Sequence, residues 1–159
     1  MRITRIKDDE IRSLLLEKKE IPVGLCPPQM TARNGYWRKS FEVKGASGSE
    51  FVIKLRQTVV NPANFSVILG YRIPGSYSIF RLRRYNGKHD HENTLEGERF
   101  YDFHIHMATE RYQRSGFRED HYAQPTVGHF DFRSAVECLI EDCGFSTTGR
   151  NYTLFNPKT

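Results

Sequence analysis

A chain of 159 residues is the size of one domain, and 13% aromatic content offsets a modest hydrophobic fraction of 38%. The longest apolar run, within 66–71, is far too short to span a bilayer, and the charged N-terminus carries no apolar leader, so neither a membrane span nor export is expected. The net charge of +5 is uneven, with thirteen Lys/Arg against seven Asp/Glu in residues 1–80 and nine of each in 81–133. Arginine outnumbers lysine sixteen to eight, which favours planar recognition of phosphate or carboxylate, and nucleic acid is the commonest anionic partner.

Asp8-Asp9-Glu10 open a helix at the positive end of its dipole, and Ile11, Leu14 and Leu15 mark its buried side. Pro22, Pro27 and Pro28 then lead through a loop to Asn34-Gly35. Alternating apolar residues predict strands over 37–44, 51–56, 65–73, 78–85 and 101–107, separated by turns at 45–48 and Pro74-Gly75. Residues 109–129 read as a long irregular segment, the kind that is functional or covers something. Asp131 is a helix N-cap for the apolar series Phe132, Ala135, Val136, Leu139, Ile140 and Cys143, with Gly144 closing it. A short strand is expected near 152–155, with flexibility in the last few residues.

The expected fold is a single α+β domain over 1–159. One antiparallel sheet of about five strands carries an N-terminal and a C-terminal amphipathic helix on one face. Alternation places Arg38, Lys54, Arg81, Arg83, Asp102, His104 and His106 on the other face. Cys26, Cys138 and Cys143 form no C-x-x-C pair and suit a reducing cytoplasm.

All six histidines fall within 89–129, four of them as the pairs His89/His91 and His104/His106. Direct pairing of strands 78–85 and 101–107 would set Arg83 opposite Asp102 and Arg81 opposite His104. A ribonuclease without a metal needs a base, an acid and cations around the phosphate, and this set contains all three. In that reading His104 and His106 are the acid–base pair and Asp102 orients one imidazole. Arg81, Arg83, Tyr85, His89 and Arg111 bind substrate, and no cofactor is required. The alternative is a divalent transition metal on His104, His106 and Glu110, a spacing that resembles the first cupin motif. No nucleophile elbow, P-loop or dinucleotide fingerprint is present.

The run Phe80-Arg81-Leu82-Arg83-Arg84-Tyr85-Asn86-Gly87-Lys88-His89, followed by Phe103-His104-Ile105-His106, resembles small prokaryotic proteins of the TumE type, predicted toxins of toxin–antitoxin pairs. The resemblance covers about a fifth of the chain, near 78–107. It implies a small cytoplasmic protein from a mobile or defence-associated locus, acting on RNA and neutralised by an antitoxin-like partner. The residues it carries over are Arg83, Asn86, His89, His104 and His106. The expected function is therefore a toxin-like, metal-independent ribonuclease. A noncatalytic phage or mobile-element inhibitor and a cupin-like metal enzyme stand as alternatives.

Overall fold

The computed structural model describes residues 5–148. Their strands form one seven-stranded antiparallel sheet in sequential order, β1 to β7. These are β1 (Thr31–Arg33), β2 (Tyr36–Lys44), β3 (Glu50–Thr58), β4 (Phe65–Arg72), β5 (Ile79–Asn93), β6 (Glu98–Met107) and β7 (Ala123–Pro125). Three short helices accompany them: α1 (Asp8–Leu16), α2 (Glu110–Arg114) and α3 (Phe132–Asp142).

The expected α+β architecture of about five strands and two amphipathic helices is thus corrected to a mostly β domain with two more strands and one more helix. The extra elements are short. β1 and β7 have three residues each and α2 has five, too few to display a hydrophobic period. β1 still had a local signal, because Asn34 and Gly35 both take positive φ, 52° and 82°, and close a two-residue hairpin onto β2. The strand expected near 152–155 lies outside the described residues.

One side of the sheet carries the core. Phe41, Val43, Phe51, Ile53, Leu55, Val67 and Leu69 are buried there with Ile11 and Leu15 of α1 and Ala135, Val136, Leu139 and Ile140 of α3. Asp131 and Ser134 form a reciprocal capping box at the start of α3, and Gly144 takes φ 77° beyond its end. Lys19 fastens the helices together. Its buried ammonium donates to the carbonyls of Leu14 and Leu15 in the last turn of α1, of Glu17 just after it and of Cys143 after α3, at 2.8–3.2 Å. Burial pushes its pKa down to about 8. No described helix is long and apolar enough to cross a membrane.

Two irregularities in β5 decide which side chains share the opposite face. Between β4 and β5 the register shifts, so that Leu69 pairs with Arg83 and Gly70 with Arg81, leaving Leu82 extra. From there onward the alternation is reversed. Arg83 pairs with the core residue Leu69, whereas Arg84, opposite Ile68 and His106, joins Arg81 on the polar face. The second shift lies between Asn86 and His89. It lets β5 continue to Asn93, past the strand end expected at 85. Gly87 sits in this bulge, where a Cβ would collide with the main-chain carbonyl of Ala63.

Candidate metal centre

The long hairpin of β5 and β6 gathers the histidines. His104 pairs with Asn86, His106 with Arg84, His89 with Asp102 and His91 with Phe100. This register replaces the expected pairing of Arg83 with Asp102 and Arg81 with His104. Because these positions alternate on one face, the four imidazoles stack against one another. Ring centroids lie 4.4 Å apart for His89–His104, 4.9 Å for His104–His106, 4.8 Å for His91–His106 and 5.8 Å for His91–His104. His121 extends the cluster, 5.3 Å from His91.

Two of these rings are held in one tautomer. His104 Nδ1 lies 2.7 Å from the carbonyl oxygen of Asp102, and His106 Nδ1 lies 2.8 Å from that of Asp120. A carbonyl can only accept, so both Nδ1 atoms carry the proton and both Nε2 atoms present a lone pair. His104 is fully buried and His106 nearly so, yet neither Nε2 has a hydrogen-bond partner. Such an orphan normally costs free energy of about 1–3 kcal/mol. Here both point into a shared space. The ligand atoms of His89, His104 and His106 all lie within 4.8 Å of one another. A tetrahedral zinc ion with bonds near 2.0–2.1 Å needs its nitrogens about 3.4 Å apart, so ligation would draw in atoms that here lie within 4.8 Å of one another.

The electrostatics keep the rings neutral. Burial pushes His104 down to about 4 and His106 down to about 2, and the Arg84 guanidinium adds to both effects. Burial first, then the charge of Arg84, lowers His89, and burial also lowers His91. Neutral imidazoles whose Nδ1–H is anchored by an outer acceptor are the usual form of metal-bound histidine.

The other expected site residues divide. Asp102 does orient His104, but through its main-chain carbonyl rather than its carboxylate. Asn86 is buried beside the site and accepts from Ser66 Oγ at 2.9 Å. Arg81 stays on the polar face, 3.7 Å from the buried carboxylate of Asp120. Arg83 and Tyr85 do not reach the site. Tyr85 is in the core, donating to Asp142 Oδ2 at 2.8 Å, and Arg83 lines a cleft beside α1 with Ile11 and Leu15. Arg111 pairs with Glu96 at the hairpin tip. Glu110, the expected carboxylate ligand, opens α2 and pairs with Arg114; the third side chain that converges with His104 and His106 is His89 instead.

Two contributors escaped sequence reasoning. Arg84 is missing from the polar face that alternation predicts, because strict alternation cannot anticipate a bulge. Asp120, from the irregular 109–129 segment, is fully buried and binds Arg84 Nε at 3.0 Å while its carbonyl anchors His106. Its sequence context, Arg-Glu-Asp-His, looks like solvated loop. Comparisons with models of protein families, with curated proteins and with solved structures give no match, so function is argued from the site alone.

Proposed function

We propose that the protein is a metal-dependent hydrolase whose ion, zinc by the chemistry of three imidazoles, is held by Nε2 of His104, Nε2 of His106 and a ring nitrogen of His89. The observation that carries this reading is the pair of buried, partnerless Nε2 atoms converging with a third histidine. Three protein ligands leave a fourth position for water, whose pKa a zinc ion lowers to about 7. His89 is exposed, so an ion held there would be within reach of solvent and substrate. Arg84, opposite His106 and braced by Asp120, favours an anionic substrate.

The geometry favours ligation over metal-free acid–base catalysis by the same pair. A general acid must hold a proton at working pH, and burial works against that in both rings. The toxin-like, RNA-directed reading concerns the substrate, and its support is the basic surface described below. Cys26, Cys138 and Cys143 form no disulfide among the described residues, in keeping with a reducing cytoplasm.

Titration of chelator-stripped protein with zinc chloride, followed by calorimetry and elemental analysis, tests the proposal. One equivalent is expected for the wild type and none for His104→Ala. Absence of zinc from the wild type, or equal binding by the variant, overturns the centre. RNA cleavage that persists in chelator but disappears in His104→Ala would instead support the metal-free ribonuclease.

A further inference from the structure

We infer that the groove crossing β2 to β5 on the histidine face binds a single-stranded polynucleotide by its phosphodiester backbone. The groove has a volume of about 600 Å³, and Arg38, Lys54, Arg56, Arg81 and Arg84 line it with no acidic side chain among the lining residues. Much of the basic surplus of the first half of the chain is therefore concentrated in one concavity. Arg38, Lys54 and Arg56 make no ion pair among the described residues, so their charge is available to a ligand.

The cations are also ordered. Arg38 and Arg56 both lie over the ring of Tyr36, at 4.7 and 5.4 Å, which fixes two guanidinium planes at one end. At the other end Asp120 holds Arg81 and Arg84. Sheet register links these ends in a continuous row, Arg38 to Arg56 to Ser66 to Asn86. Three strand spacings span about 14 Å, a run suited to successive phosphates of one strand. Arginine planes and the half-buried Phe100 beyond His104 give bases surfaces to stack on. No helix contributes to the groove lining, so the groove offers nothing of the recognition-helix kind that enters a duplex major groove. Binding stands on the groove alone, whereas delivery of a phosphodiester to the ion rests on the proposed hydrolase.

Fluorescence anisotropy with labelled oligouridylate, oligothymidylate and a duplex of equal length tests the inference on the full chain. The account predicts binding of the single strands over the duplex, with the tighter of the two naming RNA or DNA as the ligand. The double variant Arg38→Glu/Arg56→Glu should bind at least about tenfold more weakly, with a salt slope shallower by about 1.4. The milder Arg38→Gln/Arg56→Gln pair guards against misfolding, and Arg133→Glu on α3 should change nothing. His104→Ala should keep strand binding while losing zinc, which separates this inference from the proposed centre. Duplex binding as tight as single-strand binding overturns it. So does unchanged affinity in both double variants, or equal competition by inorganic polyphosphate per phosphate.

Discussion

His129 and the pair His104/His106 make an instructive contrast. All three are buried, each has one ring nitrogen on a main-chain carbonyl, and each leaves the other nitrogen without a partner. Yet His129 is packed among the rings of Phe65, Tyr85 and Phe103, at 5.8–6.0 Å, with its Nε2 on the carbonyl of Asn86. Among the described residues its orphaned nitrogen belongs to no group of three candidate ligands. His104 and His106 meet His89. An orphaned buried imidazole is thus no site in itself; convergence is what distinguishes a metal centre from a core histidine.

The largest expected effect separates these two kinds directly. Zinc at about a thousand times its dissociation constant should stabilise the wild type by about 4 kcal/mol, read as a shift in urea unfolding. His104→Ala should abolish that shift and His129→Ala should keep it. Next comes a buried polar group that is fully satisfied. Lys19→Met leaves four carbonyls at the ends of α1 and α3 without their donor, and should cost about 3 kcal/mol in urea unfolding with zinc affinity unchanged.

Smaller effects sharpen the contrast. His129→Ala removes packing among three aromatic rings and should destabilise by about 2 kcal/mol in the same assay. Gly87→Ala presses a methyl group onto the Ala63 carbonyl and should cost about 1–2 kcal/mol, with calorimetry showing weaker zinc binding because the bulge that aims His89 is displaced. His91 belongs to the cluster, but its Nε2 is engaged with Asn93 Oδ1 at 2.8 Å. His91→Gln should therefore alter the free energy of zinc binding by less than about 0.5 kcal/mol.

Much of this arrangement was legible in the alternation of side chains. Phe41/Val43, Phe51/Ile53/Leu55 and Val67/Leu69 mark the buried side of three strands, and Asp131 with the Phe132–Cys143 series marks α3. The pairing of His104 with His106 on one face also follows from period two. What alternation could not supply was its own interruption. One extra residue at Leu82 moved Arg83 off the polar face and put Arg84 there. Another between Asn86 and His89 kept a polar run, which reads as a turn, inside β5 and so joined His89 to the centre. Asp120 was invisible for a different reason. The partners of its carboxylate, Arg81 and Arg84, are more than thirty residues away along the chain, on β5.

The central claim is that Nε2 of His104 and His106 are ligand atoms while their Nδ1 protons stay on the carbonyls of Asp102 and Asp120. Long-range nitrogen–proton NMR of the imidazoles during zinc titration reads this directly. The account predicts that one equivalent of zinc shifts the Nε2 resonances of His104 and His106 and one nitrogen of His89, with Nδ1 of the pair protonated throughout and His129 unmoved. Unshifted Nε2 resonances in the pair, or a response at His129 instead, would contradict it.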